Sequence, residues 1–114
     1  MLDFSGRNSI PLSDRQLEIT PTLFHRDALV MEKSDSGWIG IRSTEDASEL
    51  RLHPEKFPWL GIWSKPGAPF VCIEPWYGHA DPVGFEGDFL AKPEIIRLPE
   101  GKHFESTFRI EIIA

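Results

Sequence analysis

Short apolar bursts separated by turn residues run along this chain, and their spacing predicts strands. Glu49-Leu50-Arg51-Leu52-His53 alternates polar and apolar side chains, the period-two mark of a half-buried strand. Near the C-terminus Phe104, Phe108, Ile110 and Ile112 are interleaved with Ser106, Thr107, Arg109 and Glu111, which predicts a terminal strand. Leu29-Val30-Met31-Glu32 and Trp38-Ile39-Gly40-Ile41-Arg42-Ser43 predict two more, parted by the turn-forming Lys33-Ser34-Asp35-Ser36-Gly37. Trp59-Leu60-Gly61-Ile62-Trp63 and Phe70-Val71-Cys72-Ile73-Glu74 are near-continuous apolar runs, the pattern of central strands buried on both faces. Ser64-Lys65-Pro66-Gly67 between them has turn chemistry, so the two should pair.

Ten prolines and nine glycines punctuate the chain every few residues and oppose long helices. Helix-start character is confined to Ser13-Asp14-Arg15-Gln16-Leu17, where Ser13 and Gln16 have capping-box spacing for a single turn. Residues 75–93 break every periodicity, and an irregular stretch of that length in a small domain is usually functional. Antiparallel strands joined by short hairpins imply an all-β fold, an antiparallel β-sandwich. With no repeat, low-complexity tract or linker, residues 1–114 read as a single domain.

Composition narrows the function. A formal net charge of −6, with no stripe of Lys and Arg, argues against nucleic acid and against anionic membrane surfaces. The apolar runs all fall well short of the roughly 20 residues of a membrane span. The N-terminus lacks a charged-then-apolar signal pattern. A single cysteine, Cys72, cannot form an internal disulfide and suits a reducing, cytoplasmic setting, where it reads as a small buried hydrophobe. No histidine pair stands at metal-ligand spacing, so neither a metal nor another cofactor is expected.

The chemistry concentrates in residues 58–81. An apolar run ends in the carboxylate of Glu74, followed by Pro75, Trp76 and Tyr77. A carboxylate accepts hydrogen bonds and protons from hydroxyls, and flat rings cover the C–H face of a pyranose, so the stretch has what a carbohydrate site needs. The plainer alternative is a buried strand whose end forms a salt bridge, with the aromatics as core. His79, in the irregular loop five residues beyond Glu74, is the best local candidate for a general acid.

Phe57-Pro58, Leu60-Gly61-Ile62-Trp63-Ser64, Ala68-Pro69-Phe70-Val71-Cys72, Glu74-Pro75-Trp76-Tyr77-Gly78 and Ala80-Asp81 together resemble the signature segment of the aldose 1-epimerase (galactose mutarotase) superfamily, in its LacX-like branch. Upstream, Pro11-Leu12 and Leu23-Phe24-His25-Arg26-Asp27-Ala28-Leu29-Val30 resemble the segment whose aspartate contacts sugar hydroxyls. Downstream, Lys92 and Leu98-Pro99-Glu100-Gly101 resemble the closing segment. The resemblance covers nearly the whole chain but only the C-terminal portion of the family fold, a large β-sandwich, and the family's two catalytic histidines lie earlier.

It implies that Glu74 is the base of a mutarotase and that Asp27 binds a hexose; from their positions in the chain, Trp76 and Tyr77 are the rings to stack on the sugar, His25 lines the site beside Asp27, and His79 is the replacement acid. Asp81 matches a position near that site. The expected activity is interconversion of α and β anomers. The alternatives are a sugar-binding module without catalysis, or a part that needs a complementary chain. Near-continuous apolar strands without neighbours on both sides also predict self-association or such a partner.

Overall fold

The computed structural model describes residues 9–32 and 37–114, so the turn expected over residues 33–36 lies outside the described residues. Among the described residues six strands make two antiparallel sheets: β1 (Leu29–Glu32), β2 (Ile39–Arg42), β3 (Glu49–His53), β4 (Trp59–Trp63), β5 (Cys72–Trp76) and β6 (Arg109–Ile113). One sheet has the order β1-β4-β5 and the other β2-β3-β6. The fold is all-β, as the hydrophobic pattern predicts.

The β4–β5 hairpin forms around Pro66 and Gly67. The Ala68 amide donates to the Lys65 carbonyl at 2.9 Å, and Gly67 has φ +78. Proline followed by a residue at positive φ is type II turn chemistry, and glycine meets that requirement without strain. Ser64, which is buried, donates its hydroxyl to the Phe70 carbonyl at 2.6 Å. That bond occupies an acceptor the ladder would otherwise use, and pairing begins only at Trp63↔Cys72. The strand expected from Phe70 therefore starts at Cys72 and runs through Trp76, which moves Glu74 from the end of a strand to its middle. β5 is an outer strand, which is where a proline such as Pro75 is tolerated.

Two other expectations are corrected. Residues 13–17 form no helical turn: Ser13 and Gln16 exchange backbone hydrogen bonds at 3.2 and 2.8 Å around Asp14 (φ 50) and Arg15 (φ 60). Positive φ at both central residues is the mark of a tight hairpin turn, which competes directly with capping. The terminal strand begins at Arg109 rather than Phe104, because the preceding aromatics are used elsewhere. Phe104 stacks edge-on against Tyr77 at 5.1 Å, Tyr77 lies 4.4 Å from Phe57, and Phe57 meets Phe108 at 6.1 Å. Ser106 donates to the Tyr77 hydroxyl at 2.9 Å, closing the cluster.

The turn between β2 and β3 is pinned by Asp46, whose Oδ1 accepts the Ser48 amide at 3.0 Å and the Ser48 hydroxyl at 2.7 Å. These bonds favour the ionised carboxylate and hold it below its ordinary value of 3.8. Their contribution is complete above that value and is lost as pH falls through the lower folded one. The Ser48 amide resonance should therefore titrate at low pH with a carboxylate profile in the wild type and be flat in Asp46→Asn.

Burial is sparse. Among the described residues Phe24, Leu52, Pro54 and Leu60 are the buried apolar side chains. The register Ile39↔Leu52↔Ile110 and Ile41↔Leu50↔Ile112 puts six apolar side chains on one face of the second sheet. Leu52 in the centre is 4% exposed, whereas Ile110 and Ile112 on β6 are 51% and 80% exposed. The chain presents 9118 Å² of accessible surface, against about 6,300 Å² for a compact monomer of its 13.0 kDa. Its radius of gyration is 16.3 Å, against about 13 Å expected for its length.

Candidate functional site

In the first sheet the register sorts side chains between two faces. Leu29, Met31, Leu60, Ile62, Ile73 and Pro75 share one, which is wholly apolar. On the other, Glu32↔Trp59↔Trp76, Val30↔Gly61↔Glu74 and Trp63↔Cys72 form successive rows. Alternation along β4 and β5 therefore places a carboxylate opposite a glycine, with a tryptophan two residues to either side of that glycine. Trp59, Trp63, Glu74 and Trp76 all belong to this aromatic face.

Its centre is the Glu74–Trp76 pair. The Trp76 indole Nε1–H donates to Glu74 Oε2 at 3.1 Å. The indole reaches back along β5 by lying across Gly61: a Cβ at that glycine would stand 2.6 Å from Cζ2 and 3.0 Å from Cε2 and Cη2 of Trp76. Glycine is thus the residue that admits the ring at this row. One row along, the His79 ring meets Trp59 edge-on at 5.1 Å. His79 Nδ1 is 2.8 Å from the Ala80 carbonyl, an acceptor only, so Nδ1 carries the proton and any proton transfer would use Nε2. Beside Trp59, an open depression of about 290 Å³ is lined by Glu32, Pro58, Trp59 and Glu94.

The other candidates lie outside the paired rows of β4 and β5. Tyr77 belongs to the Phe57–Phe104 cluster. Asp27 precedes β1, and β4 intervenes between β1 and the strand that carries Glu74. Its Oδ1 accepts the Ala28 amide at 2.7 Å, and its φ of 103 is a conformation that L-residues other than glycine seldom adopt. His25 sits in the run of turns leading to Asp27, its amide donating to the Thr22 carbonyl at 3.0 Å. Asp81 pairs with Lys92 Nζ at 2.8 Å, which ties the ends of the irregular loop together. Within that loop, residues Phe89–Ala91 form a 3₁₀ turn.

Sequence reasoning overlooked three residues of this region: Gly61, Glu32 and Glu94. The first was legible, since a small residue two places from tryptophans on either side marks a gap on one face of a strand. Glu32 follows only once β1 is paired with β4, and Glu94 only from the path of the loop.

No protein-family model matches the chain. Two forms of Protein LacX from Lactococcus lactis subsp. lactis, plasmid and chromosomal, are each 29% identical over 100 residues, which is 86% of this chain and 33% of the relative. The X-ray structure of a galactose mutarotase related enzyme from Lactobacillus acidophilus superposes with a TM-score of 0.77 at 30% identity. That match covers 86% of this chain and 34% of the other. The chain spans about a third of the length of the relatives it matches, which is consistent with a C-terminal portion. Over most of its residues, the chain is thus similar to LacX and to a galactose mutarotase related enzyme, and it matches the fold of the latter across about a third of that protein's length.

Proposed function

We propose that this chain supplies the carboxylate side of an aldose 1-epimerase-like hexose site, with Glu74 as the base. The observation that carries the reading is the position of Glu74 in mid-strand on the aromatic face, its Oε2 held by the Trp76 indole at 3.1 Å. Glu74 takes the proton from the C1 hydroxyl: that O–H bond breaks and an O–H bond forms on the carboxylate. The C1–ring oxygen bond opens as an acid protonates the ring oxygen. After rotation about C1–C2, reclosure returns the ring-oxygen proton to the conjugate base of that acid and the Glu74 proton to the C1 oxygen, leaving the hydroxyl on the other face of the sugar. His79 is the acid this chain can offer, Asp27 and the tryptophans on either side of Gly61 are the hexose contacts, and the setting is cytoplasmic. Metal and cofactor have no part in the step.

The span of a third of its relatives favours a second reading beside catalysis. In that reading the chain binds sugar without turning it over, or acts only with a complementary chain that brings the family's histidine. Both readings share a test. Galactose or glucose should perturb tryptophan fluorescence with millimolar affinity, on the order of 4 kcal/mol. Glu74→Gln should weaken that response, and a response unchanged by the substitution would remove Glu74 from the site.

A further inference from the structure

The sequence suggests that Trp76 stacks on the sugar, but its indole is oriented for another task. Its N–H edge turns towards Glu74, and the benzo-ring carbons Cε2, Cζ2 and Cη2 lie over Gly61, where a methyl group would collide with Cζ2 at 2.6 Å. We propose that Trp76 is the positioning residue of Glu74, and that Gly61 is a glycine so that the indole can reach the carboxylate. This rests on the reading of Glu74 as the base.

A carboxylate on a strand can swing about its side-chain torsions. One donor on Oε2 removes much of that freedom and leaves Oε1 as the oxygen that meets the hydroxyl proton. A hydrogen bond to a charged acceptor is stronger than a neutral one, and a part-buried indole loses little mobility in making it. The ring occupies the floor beside Glu74, so sugar stacking on this face falls to the neighbouring tryptophans Trp59 and Trp63.

The test is the Trp76 indole N–H resonance of the ¹⁵N-labelled chain, assigned by its loss in Trp76→Phe. In the wild type it should move with pH along a carboxylate titration. In Glu74→Gln it should be flat, which separates Glu74 from Glu32, Glu94 and His79 around the same face. In Gly61→Ala the displaced indole should lose the titration although Glu74 is present. Because that variant is also open to a folding defect, Glu74→Gln decides the point. A wild-type resonance indifferent to pH, or the same titration in Glu74→Gln, would overturn the pairing.

Galactose adds the second arm. Saturating sugar should shift the indole N–H in the wild type, through Glu74, and leave it nearly unmoved in Glu74→Gln. An equal shift in both would mean that the sugar touches the indole directly, and would overturn positioning in favour of stacking. A carboxylate titration with no sugar effect in either protein would uphold the pair while counting against the hexose reading of the site.

Discussion

The chain on its own is expected to accelerate α-to-β hexose interconversion feebly or not at all. In the proposed reading Glu74 is the base, but the acid is supplied in the family by a histidine that this chain does not match, and losing one partner of an acid–base pair typically costs about 10² to 10⁴ in rate. Polarimetry of freshly dissolved α-galactose measures it. Whatever activity is present should vanish in Glu74→Gln, which keeps the shape and the amide–indole hydrogen bond but cannot take the proton. His79→Asn, followed in the same assay, reports on the stand-in acid. Activity lost in both variants would make His79, edge-on to Trp59 and held by Ala80, the catalytic acid. Strong activity that survives Glu74→Gln would mean a different base and a different mechanism.

A large effect is also expected on assembly. An accessible surface some 2,800 Å² above the compact-monomer value exceeds the roughly 800 Å² that each partner gives up in a standard interface. The second sheet leaves Ile110 and Ile112 open beside the buried Leu52, and β5 ends the first sheet with its outer edge unpaired by any described strand. Association should cover these surfaces. A net charge of −6 on every copy opposes self-association and favours a complementary chain, such as the two thirds of LacX that this chain does not span. Mixing the two should give a heavier species in sedimentation, and Ile112→Lys, which places a charge in the proposed interface, should weaken it at least tenfold. A well-behaved monomer at high concentration, with and without that partner, would contradict this expectation.

What the sequence disclosed depended on how local the determinant was. Period-two alternation sufficed for β3, and the Trp59–Trp63 run and the Pro66-Gly67 turn sufficed for β4 and its hairpin, because propensity and turn chemistry act within a few residues. The start of β5 was misplaced by two residues because it depends on the Ser64 hydroxyl bonding to Phe70 across the turn. The alternation from Phe104 overextended the last strand, since Phe104 and Phe108 were committed to Phe57 and Tyr77, distant in sequence. Ser13 and Gln16 have capping spacing, yet the local backbone took positive φ at Asp14 and Arg15 and closed a hairpin turn instead. In the candidate site, Glu74 and Trp76 were legible as a pair of residue types. Their hydrogen bond was not, because it needs Gly61 on the neighbouring strand to make room for the ring.

A hexose site on this chain requires that the sugar meet the Glu74 face. The most direct measurement is a galactose titration of the ¹⁵N-labelled chain followed through its backbone amides. The shifts should concentrate at Gly61 through Trp63 on β4 and at Glu74 and Trp76 on β5, saturate in the millimolar range, and collapse in Glu74→Gln. Saturating sugar that leaves those amides unmoved, or moves only residues away from this face, would contradict it.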